Sequence, residues 1–322
     1  MTSDLQLKHG LAFEDLYRRD GLARLDTAFV AWLASTDADL HNRLVTARRD
    51  PAALDHKAHS QLLTDLAPHL EDFVADLFGI ASEARALQAR HHALAPLYAV
   101  KRLFVQRRGV KGVTPEKVAA LDGAILGREL EALIGEALTE QGYAAHVSRW
   151  MTAEAEHGAA LDLAARYAAW ATLSSEGQAR HRRGVLFKVP HKVEMTHLIA
   201  VETVVEHGVT MLRLGPEHGR ARDGFALTDA GMDLTGALDQ ANYCIWCHNQ
   251  GKDSCSRGLK DKKSGAFQKT VFGVTLAGCP LEEKVSELNA VKAEGWSIGA
   301  LAIAAIDNQW WPRPGTASAT TA

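Results

Sequence analysis

The sequence predicts a mainly α-helical protein: a helical N-terminal domain, a small β-hairpin element near 185–214, and a second helical domain that carries the cysteines. Three observations predict it. From Leu11 to about Ala171 the chain is rich in alanine, with apolar residues at helical spacing. Near Gly184 the texture changes to short alternating runs around a His-Gly pair. The first 243 residues hold no cysteine, and all four cysteines lie between Cys244 and Cys279.

The elements follow in order. Leu22, Leu25, Phe29, Trp32 and Leu33 mark one helix face. Asp50-Pro51 and Thr114-Pro115-Glu116 read as helix starts, a polar cap followed by proline in the first turn. Gly109 and Gly112 close the helix that runs through Leu97, Leu103 and Phe104. Together these give a helical bundle over 1–183. The segment Val185-Leu-Phe-Lys-Val189 reads as extended up to Pro190. Val201, Thr203 and Val205 alternate with other residues, His207-Gly208 makes a tight turn, and Val209 to Leu214 returns as the second strand. A hairpin and its connecting loop thus occupy 184–232. Within 233–308, a short helix from Asp233 to Asn242 leads into the cysteines, Pro280 opens a helix through Val285, Leu288 and Val291, and Ser297 caps another through Ile306. Residues 309–322, with two adjacent tryptophans and a Thr/Ala/Ser end, show no periodicity and read as a disordered tail.

Composition narrows the function. A chain of 322 residues, 47 % hydrophobic and 23 % charged, has the length and balance of two ordinary globular domains. A net charge of −3 and a pI near 6.6 carry no electrostatic signature of a nucleic-acid partner. The longest strongly apolar stretch, Ile298 to Ile306, is too short to span a bilayer, and the first residues lack an apolar signal core, so a cytoplasmic protein without a membrane partner is expected.

In a reducing compartment, clustered cysteines point to metal rather than to disulfides. Cys244, Cys247, Cys255 and Cys279 are the candidate ligands, spaced x2, x7 and x23, with proline after the last. Two thiolates three residues apart clasp one centre, and a distant Cys-Pro is typical of cubane iron–sulfur ligation. Lys252, Arg257, Lys260, Lys262, Lys263 and Lys269 lie between them, where positive charge favours an anionic cluster or simply solvates a loop. A four-cysteine zinc site, haem attachment at Cys244-Ile-Trp-Cys247-His248 and four unrelated thiols remain open at this point. Glu154-x-x-His157 and Glu194-x-x-His197 have di-iron spacing, which two such pairs in a chain with many glutamates and histidines do not make specific. His91-His92 and His56-x-x-His59 read as exposed helix positions.

The stretch Gly278-Cys-Pro-Leu-Glu-Glu-Lys-Val-Ser-Glu-Leu-Asn-Ala290 resembles the iron–sulfur domain of the glutamate-synthase small subunit and of dihydropyrimidine dehydrogenase. Asn242 to Asn308 resembles bacterial pyridine nucleotide-disulfide oxidoreductases. The resemblance implies a helical iron–sulfur domain in which Cys244, Cys247 and Cys255 bind one [4Fe-4S] cluster while Cys279 begins a second, standing apart. It further implies an electron-transfer role beside an FAD- and NAD(P)-binding flavin domain or a partner subunit. No dinucleotide-binding glycine fingerprint occurs in this chain. The codons permitted over 309–322, read one base out of frame, allow that family's continuation. The resemblance therefore implies a fragment cut short by a frame shift and inactive alone. The alternative from another class is a non-catalytic, zinc-stabilised helical interaction module.

Overall fold

In a computed structural model of the chain, residues 6–308 are described, apart from 191–192, 196, 200, 216–218, 220–222 and 226–230. Among these residues the fold is mainly helical with one small antiparallel sheet, as expected. The helices are α1 (Arg19–Thr36), α2 (Ala38–Arg49), α3 (His56–Leu77), α4 (Ala81–Val100), α5 (Pro115–Ala119), α6 (Gly123–Ile134), α7 (Glu140–Met151), α8 (Glu154–Leu173), α9 (Ser175–Arg180), α10 (Leu234–Tyr243), α11 (Ser254–Arg257), α12 (Val285–Ala293) and α13 (Ser297–Asp307). A π-helical stretch, Lys101–Val110, continues α4. The expected tail, 309–322, lies outside the described residues. Among those residues no helix is long and apolar enough to cross a membrane.

The chain forms two compact units. Met1–Tyr98 joins Ala237–Ala322 in one unit, and Ala99–Gly236 is the other.

In the first unit, Asp37 and Asp55 cap α2 and α3 by accepting from the N–H groups of Leu40 and Ala58. Phe29 and Leu33 of α1, Leu40 and Leu44 of α2, and Leu62, Phe73 and Leu77 of α3 make one core, closed by Leu7 and Leu11. The opposite stripe of α3 holds Ser60, Ala67 and Glu71, seven and then four residues apart and so on one face. Against it pack Val291 of α12 and Ala300 and Ile303 of α13. The buried Glu71 carboxylate accepts from the N–H groups of Ile298 and Gly299 at 2.8 and 3.0 Å. It supplies the cap of α13 that the sequence reading gave to Ser297. Burial pushes Glu71 up, and those two N–H groups act in the opposite direction. Ser60 donates to the buried Glu287 of α12 at 2.5 Å.

Helix α12 begins at Val285, not at Pro280. The intervening residues form a turn in which Glu282 N–H bonds the Cys279 carbonyl at 3.0 Å and Glu282 takes a φ of 53°. Cys279 therefore lacks the helix N-terminus the sequence suggested.

In the second unit, Leu126 and Leu130 of α6, Tyr143 and Val147 of α7, and Leu161 and Tyr167 of α8 are buried. The Tyr143 hydroxyl donates to the Ala164 carbonyl at 2.7 Å. Val185, Leu186 and Phe187 are buried in a turn rather than extended as a strand. The reason is Glu140, whose carboxylate takes the N–H groups of Val185 and Leu186 at 2.8 and 3.1 Å and so removes them from any ladder. His181 lies against Phe187 and Tyr167, its Nε2 3.0 Å from the Tyr167 hydroxyl. The hairpin forms as expected, with β1 (Val201–Glu206) and β2 (Val209–Leu214) paired from Val201↔Leu214 to Glu206↔Val209. His207 and Gly208 both have positive φ, the turn that matches strand twist.

Two predictions follow from the packing. A Cβ at Gly299 would lie 2.7 Å from the Ala67 carbonyl oxygen, which is backbone and cannot step aside. Gly299→Ala should cost about 1–3 kcal/mol, read by urea unfolding. Burial, then the nearby Arg180, pushes the His181 imidazole down to about 4. Between that value and the ordinary 6.5 the unfolded chain binds the proton more tightly. Stability is thus held above about pH 6.5 and lost as pH falls toward 4, by on the order of 2 kcal/mol. Urea titrations at pH 7 and 4.5 should show a smaller pH dependence in His181→Gln.

Candidate metal centre

Helix α10 delivers the chain to Cys244. Trp246, with a φ of 48°, turns the backbone between Cys244 and Cys247. That turn brings the Trp246 N–H to the Cys244 sulfur at 3.4 Å. Cys247 opens a 3-10 turn that ends at Gly251. Asp253 turns the chain again, and the Ser254 N–H donates to the Cys247 sulfur at 3.2 Å. Cys255 follows in α11. The loop beyond folds back through two isolated β-bridges, Lys260↔Phe267 and Lys269↔Thr275. At its close, the Cys279 N–H donates to the Cys255 carbonyl at 2.9 Å.

This closure depends on two glycines. Gly258 and Gly278 both have positive φ, and a Cβ on them would meet backbone atoms of the other segment at 2.6 and 2.3 Å respectively. Only glycine lets the two runs of backbone approach this closely.

The cysteines are not disulfide-bonded. Cys255 is exposed as a residue, yet enough protein surrounds its sulfur for desolvation to raise the thiol's pKa. Cys247 and Cys244 are the next causes, followed by Asp253 and Glu287. The first three cysteines are thus electrostatic neighbours. Cys279, expected to stand apart, is tied to Cys255 through the backbone. Among the described residues no three His, Cys, Asp or Glu side chains are arranged as the ligands of a metal ion. The donors nevertheless suit a thiolate-ligated group, because amide N–H groups directed at sulfur favour thiolate over thiol.

Beneath the cysteines lies a polar layer that spacing did not reveal. Ser286 is buried, with its hydroxyl 2.7 Å from His248 Nδ1 and 3.9 Å from the Cys244 sulfur. His248, the last residue of the haem-like pentapeptide, is buried there, and burial lowers its pKa. Asp253 is buried, and burial, then Glu287, pushes its pKa up to about 6. No periodicity distinguishes Ser286 and Glu287 from an exposed Ser-Glu pair; only their partners on α3 and in the loop do.

The other constellations separate. Lys252, Lys260, Lys262, Lys263 and Lys269 are exposed, whereas Arg257 is half-buried and its guanidinium meets His56 at 2.5 Å. Glu154 pairs with Arg108 at 3.4 Å. Glu194 and His197 are an exposed pair of their own at 3.2 Å. His91 is buried rather than exposed, bonded to the Leu87 carbonyl at 2.8 Å and facing Lys292 at 3.1 Å.

Residues 7–79, which contain α1 to α3, match the family model described as the RP005 N-terminal alpha-helical domain. Over 304 residues the chain is 30 % identical to the uncharacterized protein RP005 of Rickettsia prowazekii, covering 90 % of this chain and 99 % of that protein. No solved structure matches. These matches overturn the resemblance to pyridine nucleotide-disulfide oxidoreductases and to the glutamate-synthase type of iron–sulfur domain, since neither points to an oxidoreductase. With that resemblance goes the frame-shifted fragment, and the flavin domain and the second cluster lose the likeness that implied them. What the identity shows, over nearly the whole of both chains, is that this protein belongs to the RP005 family.

Proposed function

We propose that Cys244, Cys247, Cys255 and Cys279 are the thiolate ligands of a [4Fe-4S] cluster and that the protein transfers electrons to or from a partner protein. The observation that carries this reading is the pair of amide-to-sulfur hydrogen bonds, Trp246 to Cys244 and Ser254 to Cys247, beside a third thiol that feels both sulfurs. A cluster, when bound, supplies one-electron chemistry. The chain's own part is to hold the thiolates, shield Cys247 from water, and bias the potential through those N–H groups and the buried Glu287. The exposed lysines of the loop offer a positive edge to an acidic redox partner. Thiolate ligation of such a cluster calls for a reducing compartment, and the proposal places the protein in the cytoplasm.

Anaerobic purification of the full chain, with iron, acid-labile sulfide and zinc analysis, tests this. Iron and sulfide should appear in comparable amounts with broad visible absorption, and Cys247→Ser should remove both together. Zinc without sulfide would replace electron transfer by a structural zinc module. Absence of iron after anaerobic reconstitution would also overturn the proposal.

A further inference from the structure

In the first unit a cavity of about 490 Å³ opens between α2, α3 and the cysteine loop, and no cysteine lines it. That volume lies in the range of small-molecule sites. Its apolar wall is aliphatic, formed in part by Leu44, Leu54, Leu62 and Leu66, with no Phe, Tyr or Trp. Arg48, Lys284, Asp253, Arg257 and Glu282 are its charged lining residues. Arg48 is engaged by Asp26 through two hydrogen bonds, and Lys284 faces Asp307 at 3.7 Å. His59, also in the wall, is held toward its neutral form by burial and then by Lys284.

Glu282 is exposed, whereas Asp253 is buried and Arg257 half-buried. Asp253 and Arg257 stand four residues apart, one helical turn, where opposite charges ordinarily meet. They form no ion pair with each other. Among the described residues Arg257 has His56 as its hydrogen-bond partner and no carboxylate. Asp253 is 5 % exposed, and its Oδ1 has no hydrogen-bond partner. A buried carboxylate oxygen without a donor is costly, so a donor from outside the chain would relieve it. An acidic and a basic group, unpaired with each other at the edge of an aliphatic cavity, complement a molecule that carries both charges.

We propose that this cavity binds a small zwitterion with an aliphatic body, an α-amino acid of the leucine type, its ammonium on Asp253, its carboxylate on Arg257 and its side chain against the leucines. The site shares the cysteine loop with the metal proposal, since Asp253 and Arg257 flank Cys255, but no cysteine lines it and its test uses no metal. A guanidinium grips a carboxylate through two parallel N–H groups, and the carboxylate of Asp253 accepts from an ammonium. Loss of either ligand charge leaves one of these two groups unsatisfied.

Calorimetric titration of the full chain with L-leucine tests the inference. Two arms remove one charge each: 4-methylpentanoate lacks the ammonium, and 3-methylbutylamine lacks the carboxylate. L-Leucine should saturate, and each single-charge ligand should bind at least about tenfold more weakly. Arg257→Gln should weaken L-leucine at least about tenfold while leaving the amine unchanged. Asp253→Asn should weaken L-leucine similarly while sparing the carboxylate. Absence of saturation below about 10 mM would overturn the proposal. So would equal affinity for all three ligands, which would indicate apolar filling alone. The comparison of ligands on the unmodified chain does not depend on how either variant folds.

Discussion

Glu71 carries a carboxylate into the interior of the first unit, and the two free N–H groups at the start of α13 are what make that position tolerable. A helix N-terminus needs acceptors and a buried carboxylate needs donors, so each answers the other's deficit. The same stripe of α3 adds two further contacts, about three turns and one turn earlier: Ser60 meets the buried Glu287, and Ala67 lets Gly299 approach its backbone. One helix thus supports an aliphatic core on one side and a polar, closely fitted seam on the other. The seam fixes α12, and α12 carries Ser286 and Glu287, the floor of the cysteine loop.

This dependence explains why the loop from Cys244 to Cys279 has a definite shape with little apolar core of its own. Its turns are set by residues in left-handed conformations, Trp246 and Asp253 among them, and by the mutual approach of Gly258 and Gly278. Non-glycine residues hold such backbone only where their surroundings impose it. Here the imposing contacts are backbone to sulfur and buried hydroxyl to imidazole. The polar groups that hold the loop are also those that surround its thiols.

Local patterns in the sequence were informative wherever a single element decides the outcome. The apolar face through Leu25, Phe29 and Leu33 became α1, and the His207-Gly208 turn set the hairpin register. Patterns misled where a distant partner decides. Val185 to Phe187 has strand composition, but Glu140, some 45 residues away, takes its N–H groups. Pro280 has the form of a helix opener, yet the helix waits until Val285. Ser60 and Glu71 on α3 look like an ordinary solvated stripe, and only the return of the chain more than two hundred positions later buries them. The run of four cysteines was visible in the sequence; the polar layer beneath the loop was not, because serine and glutamate have no period that betrays burial. The likeness of motif that suggested a redox enzyme was local, and the identity that assigns the family runs the length of the chain.

The first unit is assembled from both ends of the described sequence, with residues 99–236 between them. During synthesis on the ribosome, α1 to α3 therefore emerge with the Ser60–Glu71 stripe bare, and they wait while the whole second unit is made. That second unit is continuous in sequence and has every contact of its own core available before the cysteines appear. Closing the first unit then requires joining segments far apart in the chain, an entropic cost that falls if the intervening residues are already compact. The topology thereby fixes the order of synthesis: the inserted unit is complete in the chain before the cysteine-bearing segment that closes the first unit is made.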